Sequence, residues 1–113
     1  MAKLFVIDRD TLYSTDETGA YTELTSGWAD AQCMTALNGS LYIIHNGTLY
    51  KVNPDNGEYT ELTSGWGKTR AMTGVGGKLY MIDGATLYAA DANTGEYTEL
   101  TSEWNNPWAM ASI

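Results

Sequence analysis

The sequence is organised by an internal repeat of 38 residues, and this repeat limits the possible folds more than any other feature. The segment Tyr-Thr-Glu-Leu-Thr-Ser occurs three times, at 21–26, 59–64 and 97–102. A tryptophan and a methionine recur in the same register, at Trp28, Trp66 and Trp104 and at Met34, Met72 and Met110. Repeats of this length stack on one another and share a core. The chain is therefore predicted to be an array of three similar units.

Each unit has the pattern of four short strands. In the second unit, an apolar strand at 33–37 leads through a turn to 41–44, which is apolar on both faces and is predicted to be an interior strand. Asn46-Gly47 is a typical two-residue hairpin turn, and it is followed by a strand at 48–52. A longer turn ending in glycine precedes 58–63, where apolar residues are sparse, as in an outer, half-solvated strand. The pattern predicts an all-β fold.

A four-stranded antiparallel meander with this period resembles a β-propeller blade. The resemblance rests on Leu-Tyr-Met-Ile-Asp at 79–83, Thr-Leu-Tyr, Thr-Gly-Glu-Tyr at 94–97 and the recurring tryptophan. It spans the whole chain, with repeat units at about 3–40, 41–78 and 79–113. The chain looks like short-blade bacterial propellers and, more distantly, like PQQ-type and lectin propellers. It lacks the Trp-Asp dipeptide of WD repeats and the paired glycines of kelch repeats at their expected places.

The two ends of the sequence are complementary. The chain begins at the second strand of a unit and ends at the first strand of one, 108–113. Propellers usually have about 4 to 8 blades, so three blades would need a second copy to close a ring. We therefore expect three four-stranded antiparallel blades that form half of a six-bladed propeller, closed by homodimerisation with strand exchange at the termini. The residues predicted at the junction are Leu4, Phe5, Val6, Ile7, Trp108, Met110 and Ile113.

Charge and cysteine content narrow the possible partners. Fourteen acidic and six basic residues give a net charge of −8, which disfavours nucleic acids and anionic membrane surfaces. Cys33 is the single cysteine, so no intramolecular disulfide can form. The apolar stretch at the start is too short for a signal peptide or a membrane span. We expect a cytoplasmic or recombinant protein without a targeting signal.

The repeats also indicate which residues are unsuited to catalysis. His45 corresponds to Asp8 and Asp83, which favours a polar residue beside a turn over a catalytic base. Cys33 corresponds to alanine in the other units, as a small core residue would. The segment that starts at Asp91 resembles a calcium loop, but its glycine is one position early and Ser102 replaces the bidentate glutamate. We predict no enzymatic activity, no metal site and no cofactor.

The recurring tryptophans have two interpretations. They lie between the outer strand of one unit and the first strand of the next, where an aromatic ring can pack between blades or stack on a sugar. Packing is favoured, because a shared core between blades needs an aromatic in every unit. The residues that follow each tryptophan vary, so any binding surface for neutral sugars is expected there. The candidate contacts are Trp28, Asp30, Trp66, Arg70, Trp104, Asn106 and Trp108.

The exposed positions of the outer strands are almost identical between units, which exceeds what packing requires and indicates recent amplification or deliberate construction. The first functional hypothesis is a non-enzymatic, self-assembling propeller fragment or scaffold. The alternative is a lectin-like propeller with up to six shallow sites, which would gain avidity from multivalency.

Overall fold

The computed structural model describes residues 3–104 and Met110, and this part of the chain folds into β-strands joined by turns. The strands are β1 Lys3–Asp8, β2 Thr11–Asp16, β3 Tyr21–Ser26, β4 Ala31–Leu37, β5 Ser40–His45, β6 Thr48–Val52, β7 Tyr59–Ser64, β8 Thr69–Val75, β9 Lys78–Asp83, β10 Thr86–Asp91 and β11 Tyr97–Thr101. No α-helix in the described ranges has the length and apolar character that a membrane crossing requires. The all-β prediction is confirmed.

The strands form three antiparallel meanders, which we call blades 1, 2 and 3. Blade 1 contains β1–β3, blade 2 contains β4–β7 and blade 3 contains β8–β11, each in sequence order across the sheet. The blades cover 3–26, 31–64 and 69–101, so each complete blade begins with the last strand of one sequence repeat unit. In the described part of the chain, blade 1 has three strands where the other two have four.

The tight turns follow from local sequence. Asn46 and Gly47 have φ angles of 50° and 85°, the left-handed values that a type I′ hairpin requires at both central positions. His45 pairs with Thr48 across this turn, as Asp8 pairs with Thr11 and Asp83 with Thr86. The two-residue connection predicted at Asn46-Gly47 is therefore present, and the other two blades have connections of the same length at the corresponding positions.

A bulge between the last two strands also repeats in every blade. The register shifts after Leu12 in blade 1, after Leu49 in blade 2 and after Leu87 in blade 3. A bulge adds one residue to one strand and increases the local twist. The three units thus share an irregularity of geometry as well as a sequence.

The cores lie between blades. Between blades 1 and 2, Leu12 and Trp28 pack with residues of β5 and β6, namely Leu41, Ile43 and Val52. Between blades 2 and 3, the opposite face of β5 packs with Trp66 and with Met72, Leu79 and Met81. The prediction that 41–44 is an interior strand is confirmed, since all four residues are buried. Neighbouring blades therefore share their buried apolar side chains.

Candidate assembly interface

The two interfaces between neighbouring blades contain the same arrangement of one tryptophan and two tyrosines, to which the His45 ring is added in the first. Trp28, in the loop after β3, lies against Tyr50 and Tyr59 of blade 2 with ring centroids 5.6 and 5.5 Å apart. Trp66, in the loop after β7, lies against Tyr88 and Tyr97 of blade 3 at 5.4 and 5.1 Å. All four contacts are edge-to-face, the arrangement that the aromatic quadrupole favours.

Each tryptophan is held by its own blade before it reaches the next. The indole N–H of Trp28 donates to Thr25 Oγ1 at 2.9 Å, and that of Trp66 donates to Thr63 Oγ1 at 3.0 Å. Their backbone N–H groups donate to the carbonyl oxygens of Asp10 and Gly47, in the hairpin between the preceding pair of strands. Hydrogen bonds within one blade therefore orient the indole ring, and the ring packs against the next blade.

A glycine–threonine contact accompanies each aromatic cluster. Gly57 of blade 2 lies so close to blade 1 that a Cβ atom there would be 2.6 Å from Thr25 Cγ2. At Gly95 of blade 3, a Cβ would be 2.8 Å from Thr63 Cγ2 of blade 2. Both glycines have positive φ angles, near 80°. Only glycine satisfies the turn conformation and the close approach together.

At the outer end of blade 3, the tryptophan half of this interface is open. Trp104 is 45% exposed, whereas Trp28 and Trp66 are 3% and 2% exposed. Its indole N–H still donates to Thr101 Oγ1, at 3.1 Å, and its backbone N–H donates to Ala85 O at 3.1 Å. Trp104 therefore makes the same local hydrogen bonds as the two buried tryptophans, but its ring is exposed.

At the outer end of blade 1, the tyrosine half is open. Tyr13 and Tyr21 form an edge-to-face pair with centroids 5.5 Å apart, as the corresponding tyrosines of blades 2 and 3 do. With Val6, Asp8 and Thr15 they line a cleft of about 340 Å³. At Gly19, which corresponds to Gly57 and Gly95, no described atom lies within 4 Å of a Cβ position.

The predicted junction strand β1 has one covered and one open face. Phe5 and Ile7 pack against the core between blades 1 and 2. Leu4 and Val6 are 53% and 45% exposed, whereas their counterparts in β5 and β9 are almost completely buried. Met110 is half-buried, and Trp108 and Ile113 lie outside the described residues.

The predicted sugar contacts are not gathered in one pocket of the described residues. Burial of Trp28 and Trp66 confirms the packing interpretation for these two rings. Asp30 and Arg70 are exposed, in the loop before β4 and in β8 respectively. Asn106 and Trp108 fall outside the described residues. Sugar stacking stays a prediction for Trp104.

Sequence reasoning missed several residues that join the blades. Gln32 Nε2 donates to the carbonyl oxygens of Trp66 and Thr69 at 3.0 and 2.9 Å, and its Oε1 accepts from the Gly47 N–H at 2.8 Å. Its counterparts are Arg70 and Trp108, so the repeats gave no signal for it. The tyrosines and the turn glycines did carry a signal, because they recur in all three units.

The groups weighed for catalysis and metal binding have local structural explanations. Burial raises the pKa of the Cys33 thiol to about 12, so the thiol stays protonated at neutral pH and packs as an apolar group. Asp91 accepts hydrogen bonds from the N–H groups of Asn93 and Thr94, which is turn chemistry. Among residues 3–104 and Met110, no three His, Cys, Asp or Glu side chains cluster so that they could hold a metal ion.

Comparison with solved structures identifies the architecture. The N-terminal domain of Nup159, a β-propeller, superposes with a TM-score of 0.60 at 16% identity over 91% of this chain. These strands form propeller blades. A chain of the S. cerevisiae assembly of Dbp5 with Nup159, Gle1, IP6 and ADP gives a TM-score of 0.59 at 15% identity over 97% of this chain.

PorZ, a surface component of the type-IX secretion system of Porphyromonas gingivalis, gives a TM-score of 0.59 at 16% identity over 89% of this chain. This chain spans only 28%, 29% and 16% of the three matched chains, in the order given. No protein-family model and no curated protein matches the sequence. The likeness at these identities concerns the fold alone.

Proposed function

We propose that this chain is a non-enzymatic, self-assembling propeller fragment, of which two copies associate head to tail and close a six-bladed ring. The observation that carries the proposal is that blade 1 has three strands in the described chain where blades 2 and 3 have four. Strand β1 corresponds to β5 and β9, which pair with β4 and β8 respectively. In the described chain, β1 has no strand in the position that β4 and β8 occupy. Assembly is the activity that this open edge supports.

The register of the complete blades indicates how the edge would be filled. Met34 of β4 pairs with Ile43, and Met72 of β8 pairs with Met81. Val6 is the counterpart of Ile43 and Met81, and Met110 is the counterpart of the two methionines. If the repeat continued across the junction, Met110 of one copy would lie opposite Val6 of the other. An unpaired, apolar strand edge is a site for pairing with another chain.

Head-to-tail contacts give either a closed ring or an open fibre, depending on whether the rotation closes. Propellers usually close with about 4 to 8 blades, and six is the only multiple of three in that range. The ring would carry twice the chain's net charge of −8, which disfavours polyanionic partners and aggregation between rings.

Native mass spectrometry and sedimentation equilibrium test the proposal. We expect one species at twice the chain mass of 12.3 kDa at micromolar concentration. A stable monomer, or an open series of larger oligomers, would overturn the closed two-chain ring.

A pair of lysine substitutions tests whether the open edge mediates assembly. Val6→Lys places a charge on a side chain that is exposed in the single chain, so the blades should keep their β-sheet circular dichroism while the dimer dissociates. The matched control is Thr22→Lys in the outer strand of the same blade. Its counterpart Thr60 is exposed although blade 2 has a neighbour on each side, so this variant should remain dimeric. Equal masses for the two variants would contradict pairing at β1.

A further inference from the structure

We infer that Trp104 of one copy fills the cleft formed by Tyr13 and Tyr21 of the next copy, and that this contact is the outer seam of the ring. The inference rests on the proposed head-to-tail assembly and names the side chains that recognise the second copy. It assigns Trp104 to assembly instead of sugar binding. It also adds residues that the predicted junction along β1 does not contain.

The occupant of the cleft follows from the two interfaces within the chain. Each consists of a tryptophan and a threonine from one blade and two tyrosines and a glycine from the next. A third set of the same composition is divided between the ends of the array. Its members are Trp104 and Thr101 at the end of blade 3, and Tyr13, Tyr21 and Gly19 at the end of blade 1.

Both halves of the divided set already have the geometry of the complete ones. Trp104 makes the same two hydrogen bonds as Trp28 and Trp66, one from its indole N–H and one from its backbone N–H. The interplanar angle of Tyr13 and Tyr21 is 88°, against 86° for Tyr50 and Tyr59. Groups held in their bound geometry lose little entropy on association, so insertion of the indole should be favourable.

The base of the cleft matches the sites where the internal tryptophans are buried. Val6 lines the cleft and corresponds to Ile43, which packs in one core with Trp28, and to Met81, which packs in one core with Trp66. Asp8, also in the cleft, corresponds to Asp83, which lies beside Trp66 in the second interface. The indole of Trp104 from a second copy would therefore contact an apolar base and two tyrosine rings, as Trp28 and Trp66 do.

The glycine–threonine contact provides a second point of fit. Thr25 and Thr63 occupy the space above Gly57 and Gly95. Around Gly19 the described structure leaves this space open, and Thr101 is exposed at the other end. A second copy with Trp104 in the cleft would also bring its Thr101 over Gly19, because the indole N–H of Trp104 donates a hydrogen bond to Thr101 Oγ1.

A mixing experiment with two defective chains tests the seam. Trp104→Ala removes the tryptophan half and Tyr21→Ala removes the tyrosine half, and each homodimer then has two broken seams. A mixed dimer has one seam in which both halves are intact and one in which both are broken. We expect native mass spectrometry to show the mixed dimer well above the half that random pairing gives. Each lost seam should raise the dissociation constant about 30-fold, since buried interfacial aromatics are typical hot spots.

Controls separate the seam from folding and from the proposed function. Both changes affect exposed side chains, so the single chains should keep the wild-type circular dichroism. Thr98→Ala, whose counterpart Thr60 is exposed, should retain wild-type affinity and mix at random. If wild type is dimeric but Trp104→Ala keeps its affinity and mixing with Tyr21→Ala is random, the seam is wrong and the ring stands. A monomeric wild type would overturn both.

Discussion

At the scale of single residues, the contact between neighbouring blades depends on glycines that have no room for a side chain. A Cβ at Gly57 would collide with Thr25 and come within 3.2 Å of Leu24 Cβ. Thr25 cannot rotate away without losing the hydrogen bond that its Oγ1 accepts from Trp28. The turn at Gly57, the rotamer of Thr25 and the orientation of Trp28 therefore depend on one another.

Gly57→Ala should destabilise the protein more than Gly65→Ala does. Both positions have positive φ angles, but a Cβ at Gly65 would have no described atom within 4 Å. Gly65→Ala therefore measures the cost of backbone strain alone. Overpacking at Gly57 should add about 1–3 kcal/mol to the loss of unfolding free energy. Urea denaturation at one fixed protein concentration measures the difference. Equal losses for the two variants would contradict the close contact.

The turn at Asp91 predicts a pH dependence. Hydrogen bonds from the N–H groups of Asn93 and Thr94 hold the pKa of Asp91 below its ordinary value of 3.8. Since the folded-state pKa is the lower one, the stabilisation is complete above pH 3.8 and is lost as the pH falls through the folded-state value. Asn53, its counterpart, accepts a similar bond from the Asp55 N–H at 2.8 Å.

Asp91→Asn should therefore keep the turn and reduce the acid sensitivity of the unfolding free energy. The reciprocal change Asn53→Asp should increase that sensitivity. Urea denaturation between pH 3 and 7, in steps of about half a pH unit, measures how steeply the unfolding free energy of each variant depends on pH. Identical slopes for wild type and the two variants would show that these turns do not contribute.

At the scale of strands and loops, blades 2 and 3 are also joined by polar side chains, Gln32 and Thr63 among them. Gln32 of β4 links the loop that carries Trp66 to the hairpin between β5 and β6, with one amide group. The amide contacts backbone atoms alone, namely the carbonyl oxygens of Trp66, Gly67 and Thr69 and the N–H group of Gly47. The Gly47 N–H donates to the amide oxygen, whereas Trp66 O also accepts a hydrogen bond from the Thr69 N–H.

Gln32→Ala should reduce the unfolding free energy by about 1–3 kcal/mol, because the part-buried Gly47 N–H loses the acceptor that the amide provides. Gln32→Glu keeps an acceptor for the Gly47 N–H but turns a carboxylate oxygen towards the Trp66 and Thr69 carbonyls. It should be at least as destabilising. Loss of less than about 0.5 kcal/mol in Gln32→Ala, measured by urea denaturation, would argue that water replaces the amide.

At the scale of the whole molecule, the described blades repeat one interface, and among residues 3–104 its two halves are open at opposite ends. Trp104 marks one end, and Leu4, Val6 and the Tyr13–Tyr21 cleft mark the other. The surfaces differ, so the proposed association through them would be heterologous, and a closed ring would cover all of them. The inner strand edge and the outer aromatic seam would then be separate contributions to the same junction.

Much of this architecture could be predicted because its determinants are local. The Asn46-Gly47 turn, the alternation along 41–44 and the 38-residue spacing depend on residues close together in the chain, and their consequences hold in every unit. The spacing also predicted packing for Trp28 and Trp66. It did not separate Phe5 and Ile7, which face blade 2, from Leu4 and Val6, which face outward, because the side of a strand that is covered depends on its neighbours.

The sequence by itself determined the strands, their turns and the equivalence of the three units, since these follow from short-range patterning. Only the tertiary structure decided which copy of a repeated residue is buried. Trp28, Trp66 and Trp104 follow nearly identical segments and make the same local hydrogen bonds, yet only the first two are covered. Burial of each ring requires the tyrosine pair of the next blade, and for Trp104 the described chain contains no such blade.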